Sequence, residues 1–136
     1  MKDLIVKLSE ALDVEAEVVE NVDYLKHVRF SEGKTGWNGS VSFGIYTVSI
    51  FVGYGAYSSP RRKLQDPQDY TAFEVAVLRA RAGESSSDFI TNSILDVGDD
   101  VAGYLTRDEV NSLIEMVDNK WKSHEQEYKK FLNKIK

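Results

Sequence analysis

The chain has 136 residues, a net charge of −5 and no cysteine. That length fits one domain with a real core and is short for two. The acidic balance argues against a general nucleic-acid binder, and the lack of cysteine removes disulfides, thiolate nucleophiles, Fe–S clusters and cysteine zinc sites.

No apolar run approaches the ~20 residues that span a bilayer. The opening "MKDLIVKLSEALD" lacks the uninterrupted apolar core of a secretion signal. Composition therefore points to a cytoplasmic protein with no membrane partner. In the opening segment Leu4, Ile5, Leu8 and Leu12 fall at helical spacing, which predicts a short amphipathic helix over 2–12. Residues 14–30 are ambiguous between helix and strand. The expectation is a helix or turn first and a strand over 22–30. "SEGKTGWNGS" (31–40) reads as a loop because it holds three glycines, an asparagine and two serines.

"VSFGIYTVSIFV" (41–52) is the strongest strand signal. Tyr46, Val48, Ile50 and Val52 point one way, and Thr47, Ser49 and Phe51 the other. A second strand is expected over 70–79, where Phe73, Val75 and Val77 share a face. The two form an antiparallel pair most simply. Their connection, 53–69, is far longer than the 2–5 residues usual in hairpins, and such loops tend to be functional. Beyond a loop at 82–88, residues 89–95 suit a short strand or turn, and Gly98-Asp99-Asp100 is a turn signal.

Thr106 followed by Glu109 fits a capping box, and it opens a helix over 107–134. Val110, Ile114, Val117, Trp121, His124, Tyr128, Phe131 and Ile135 step by 4 and 3 in a heptad seam. Such a helix is ~40–45 Å long, against a radius of gyration near 14 Å for a domain of this size. It either bends or overhangs, and an overhanging apolar seam suits a homo-oligomer. The expected fold is α+β: one domain with a small antiparallel sheet (22–95), a short N-terminal helix and a long C-terminal helix, oligomeric.

Catalytic chemistry is hard to find. His27 and His124 have no partner at metal-ligand spacing. Asp96, Asp99 and Asp100 lack the alternating pattern of a calcium loop. No serine stands in G-x-S-x-G or beside a histidine. These absences suggest that the chain is not an enzyme and needs neither a metal nor a cofactor. What remains is "GYGAYSSPRRK" (53–63). Its G-x-G lacks a third glycine and opens no helix, so it is poor as a dinucleotide fingerprint. As an anion site it is better, because glycines expose backbone N–H groups and arginine can grip phosphate with two donors. The candidate ligand residues are Tyr54 and Tyr57 for stacking on a base, Ser58 and Arg61 for phosphate, and Phe89, Asn92 and Arg107 as partners from nearby segments. The plain alternative is a solvated loop with a chance basic run.

The order "YTVSIFVGYGAYSSPR" (46–61), "FEVAVL" (73–78) and "DDVAGYLTRDEV" (99–110) resembles that of small phage-encoded proteins. Among these it is similar to the Thoeris anti-defence family of the first described type. The three segments cover 34 of the 136 residues, and their order carries the likeness. The resemblance implies an oligomer that sequesters a cyclic ADP-ribose-type signalling nucleotide without cleaving it, in the host cell cytoplasm. No ligand residue of that family carries over onto this chain. The alternative is a phage protein–protein inhibitor of a host defence complex, such as an anti-CRISPR. A DNA mimic is a poorer fit, since acids and lysines interleave along the last helix.

Overall fold

The computed structural model describes residues 22–81 and 83–134. The helix expected over 2–12 lies outside them. The rest is an α+β protein built on a six-stranded antiparallel sheet and one long helix. The strands are β1 (Phe30–Glu32), β2 (Gly36–Phe43), β3 (Tyr46–Gly53), β4 (Ala72–Ala80), β5 (Ser87–Phe89) and β6 (Ala102–Thr106), with helices α1 (Thr91–Leu95) and α2 (Arg107–Lys134). The order β1-β2-β3-β4 is linear, and the far edge of β4 is shared by β5 and β6.

The β3–β4 pairing is the one the alternation predicts, with Val48 opposite Val77 and Ile50 opposite Val75. Five expectations around it need correction. The run 41–52 is not one strand: Gly44, at φ +59°, turns the chain between β2 and β3. The side chain a larger residue would carry there is replaced by the Trp121 ring, since a Cβ on Gly44 would lie 2.1 Å from it. Much of 31–40 is strand rather than loop, because β2 starts at Gly36 and its glycines fit where neighbours crowd in. A Cβ on Gly39 would meet Val28 and Phe30 side chains at 2.7–2.9 Å. The segment before β1 is a 3-10 turn (Tyr24–His27), not a strand, and 91–95 is helical. The sheet also continues past residue 95, into β6.

One face of the sheet carries the core. Val48, Ile50, Phe73, Val75 and Val77 pack with Val110, Leu113, Ile114 and Val117 of α2 in one buried cluster. The capping box forms as expected. Glu109 accepts from the Thr106 N–H at 2.9 Å, and the Thr106 hydroxyl oxygen accepts from the Glu109 N–H at 3.2 Å. The helix runs unbroken for 28 residues, about 42 Å at 1.5 Å per residue. Its seam divides in two: the first half is buried, while Tyr128 and Phe131 are more than half exposed.

An ionic knot ties the start of α2 to the 3-10 turn. Arg107 donates to both Asp23 carboxylate oxygens and to Gln68 Oε1, and the Asn111 side chain donates to Asp23 at 3.0 Å and accepts from the Leu25 N–H at 2.9 Å. Desolvation pushes the Asp23 carboxyl up, but the hydrogen bonds from Arg107 and Asn111 and the guanidinium charge outweigh it and hold the carboxyl below its ordinary 3.8. A lowered carboxylate stabilises the fold fully above the unfolded value and loses that contribution as pH falls through the folded one. The melting-temperature gap between the native chain and Asp23→Asn is therefore expected to stay constant from about pH 7 to 5 and to shrink below about pH 4. A gap that grows on acidification would contradict this assignment.

Candidate functional site

The long β3–β4 connection is folded on itself. Tyr70, buried, accepts from the Leu64 N–H at 2.9 Å and donates to the Arg62 carbonyl at 2.6 Å, which closes the second half of the loop. Asp66 caps the Pro67–Asp69 turn through the Gln68 N–H. The Trp37 indole N–H donates to the Leu64 carbonyl, and Lys63 bridges to Glu32 at 3.2 Å. Ser58 is the hub of the first half. It is fully buried, its hydroxyl oxygen accepts from the Gly53 N–H at 3.0 Å, and the hydroxyl donates towards the Pro60 carbonyl. Its expected phosphate role is therefore corrected to a structural one: no surface of the hydroxyl is presented to a ligand.

The other expected residues separate. Tyr57 and Arg61 come together: the guanidinium carbon lies 5.3 Å from the Tyr57 ring centroid, and Arg61 Nε donates to the Ala56 carbonyl at 3.1 Å. Tyr54 lines a neighbouring groove instead, and it is 73% exposed. Phe89 is exposed on β5, opposite Leu78. Asn92 accepts from the Gly98 N–H at 2.6 Å and so holds the turn after α1. Arg107 is engaged by Asp23 and Gln68, and its guanidinium is the anchor of the ionic knot.

The residue that sequence reasoning missed is Tyr104. Its ring lies 6.1 Å from that of Tyr57, and its N–H donates to the Tyr57 carbonyl at 2.9 Å. It adopts φ +57°, a left-handed backbone that costs a non-glycine residue about 1–2 kcal/mol. Such strain persists only where the surroundings enforce it, and it concentrates at functional sites. Here the bond from the Tyr104 N–H to the Tyr57 carbonyl holds it, and Gly103 permits that approach. A Cβ on Gly103 would lie 2.6 Å from the Tyr57 Cβ, so the two segments touch backbone to side chain. The Gly103-Tyr104 dipeptide, a glycine before an aromatic, was the available signal.

Tyr57 and Tyr104 line a depression of about 490 Å³ with Leu95, Val97, Val101 and Leu105, and the carboxylates Asp99 and Glu109 line it too, so a phosphate belongs outside it, on the Arg61 side of Tyr57. Arg61 has no carboxylate partner among the described residues. No cluster of metal-ligating side chains occurs among the described residues. The class defined by fold and site is a small antiparallel α+β protein with a tyrosine–arginine platform on its longest loop. Comparison with protein-family models, curated proteins and solved structures finds no match. No helix among the described residues is long and apolar enough to cross a membrane.

Proposed function

We propose that this chain is a non-enzymatic binding protein that sequesters a small nucleotide, with the base against Tyr57 and Tyr104 and a phosphate at Arg61. The observation that carries this reading is the placement of a guanidinium with no carboxylate partner among the described residues 5.3 Å over an exposed tyrosine that is itself packed on a strained second tyrosine. Aromatic faces accept any base at about 1–3 kcal/mol, and arginine grips phosphate with two donors. The likeness to the phage anti-defence family supports a cyclic ADP-ribose-type ligand held in the host cytoplasm. The distal seam of α2, with Tyr128 and Phe131 exposed, supports self-association as part of the same reading.

Cyclic ADP-ribose is the first probe. It is expected to raise the melting temperature, to be recovered chemically unchanged after heat denaturation, and to bind about 10- to 100-fold more weakly to Arg61→Ala and Tyr57→Ala. Recovery of altered nucleotide would indicate an enzyme, and no thermal shift with this or other cyclic nucleotides would overturn the proposal. Light scattering on the same samples reads the self-association, which a monomeric mass would remove.

A second reading, inhibition of a host protein complex, is favoured by the exposure of Tyr54, Tyr57 and Tyr104 around one loop. Tyrosine is enriched among residues that dominate protein interfaces. Stoichiometric capture of one host protein, lost in Tyr57→Ala, would select this reading.

A further inference from the structure

The sheet register creates a second site, separate from the tyrosine–arginine platform. Ser31 of β1 lies opposite Asn38 of β2, Asn38 opposite Phe51 of β3, and Phe51 opposite Glu74 of β4. The four side chains therefore form one row across four strands. They stand on the face that α2 does not cover, since the alternate residues Val48, Ile50, Val75 and Val77 fill the core. All four line a groove of about 440 Å³, and Tyr54 forms its lip.

The order of side chains in this row is informative. An exposed aromatic ring sits in the middle, with an amide on one side and a carboxylate on the other. Strands lie about 4.8 Å apart, so Asn38 and Glu74 are roughly 10 Å apart with Phe51 between them. A flat ring stacked on Phe51 would bring its two edges within hydrogen-bond reach of both. Glu74 uses one oxygen to accept from the Tyr57 N–H at 3.1 Å, and its second oxygen has no partner among the described residues. The Asn38 amide nitrogen makes only long contacts, 3.4 Å to the Ser49 hydroxyl oxygen and 3.3 Å to the Ile50 carbonyl, and its oxygen has none among the described residues. The groove thus offers hydrogen-bond acceptors beside a stacking surface. Both carboxylates that line it, Glu32 and Glu74, disfavour phosphate inside it, and no lysine or arginine lines it.

We propose that this groove binds a neutral nucleobase with N–H donors on its edge, guanine in preference to adenine. Guanine presents N1–H and N2–H₂ side by side to a carboxylate, whereas adenine presents a single amino group. Phe51 supplies the stack, Tyr54 closes the open side, Glu74 reads the donor edge and Asn38 meets the opposite edge. The backbone of the site is fixed from both ends, since the Tyr54 N–H donates to the Thr35 carbonyl at 2.8 Å and the Tyr57 N–H is held by Glu74 itself.

Guanosine, which carries no phosphate, is the probe that separates this site from the Arg61 platform. Titration of the full chain with guanosine, followed by calorimetry or amide NMR shifts, is expected to saturate, with adenosine at least ~10-fold weaker. Glu74→Gln keeps an acceptor for the Tyr57 N–H but loses the charge that reads guanine. It is expected to weaken guanosine about 10-fold and to erase the preference over adenosine. Phe51→Ala removes a side chain already 40% exposed, so the fold should persist while affinity falls about 10- to 100-fold. Arg61→Ala should leave guanosine affinity within about 2-fold. No saturation at millimolar guanosine, or binding that Glu74→Gln and Phe51→Ala leave unchanged, would overturn the proposal. Loss of guanosine binding in Arg61→Ala would place the base on the other platform and overturn it equally.

Discussion

Phe73→Ala is expected to lower the unfolding free energy by about 3–5 kcal/mol and the melting temperature by roughly 10–20 °C. Phe73 is 1% exposed and among the largest fully buried side chains of the core. It sits at the junction of β4 with β6: Leu105 of β6 lies opposite it, and the ladder slips between Phe73 and Val75. Truncation leaves a cavity that neither strand can close without moving the other, because β4 is already held on its far side by β3. The loss should also reach the candidate site. Residues 102–106 carry Tyr104, and the Tyr104 N–H is bonded to the Tyr57 carbonyl. Loosening β6 therefore separates the two tyrosines. Urea unfolding followed by circular dichroism measures the first effect. Phe73→Leu, which conserves most of the volume, should cost less than about 1.5 kcal/mol. A Phe73→Ala loss below about 1.5 kcal/mol would mean that the β4–β6 junction is not packed as described.

That junction also shows what the sequence makes legible and what it hides. Helix α2 and strands β3 and β4 are readable because their signal is local. A heptad seam with Thr106 and Glu109 at its start, or Val48, Ile50 and Val52 in alternation, needs no knowledge of any partner. β2 is hidden because Gly36, Asn38, Gly39 and Gly44 are turn formers by composition. Gly36 and Gly39 belong to the strand because neighbours occupy the space their side chains would fill, the Val52 carbonyl at Gly36 and Val28 and Phe30 at Gly39, while Gly44 makes room for Trp121 in the turn that follows. β6 is hidden for the same reason, through Gly103 against Tyr57. The loop 53–63 was recognisable as unusual, but its chemistry was not divisible from sequence. Whether a serine faces a ligand or its own backbone depends on which N–H lies nearest, and for Ser58 that is Gly53. The row Ser31, Asn38, Phe51 and Glu74 was invisible, because a cross-strand row exists only once the register is known. Two of its members lie in a stretch that composition reads as loop.

Gly53→Ala is expected to destabilise the fold by about 2–5 kcal/mol, although it adds only one methyl group, at the buried end of a strand. Two independent costs combine there. Gly53 has φ +126°, a backbone that side chains rarely adopt, and this alone costs on the order of 1–2 kcal/mol. A Cβ would also lie 2.5 Å from both Gly36 Cα and the Thr35 carbonyl oxygen. Those atoms are backbone, in the strand paired with β3 and in the turn before it, so no side-chain rotation relieves the contact. Relief requires parting the Gly36–Gly53 end of the β2–β3 ladder, at a further cost of about 1–3 kcal/mol. Gly55→Ala is the matched control. It shares a positive φ, +87°, but a Cβ there meets nothing within 4 Å. It should therefore show only the backbone cost, about 1–2 kcal/mol. The difference between the two variants isolates the close approach of the two backbones. Equal destabilisation would show that strand β3 does not meet β2 this tightly. Because Gly53 N–H also bonds Ser58, and Tyr54 follows it directly, Gly53→Ala should disturb both candidate binding surfaces at once. Gly55→Ala, with the ladder intact, should leave the Phe51–Glu74 row in place.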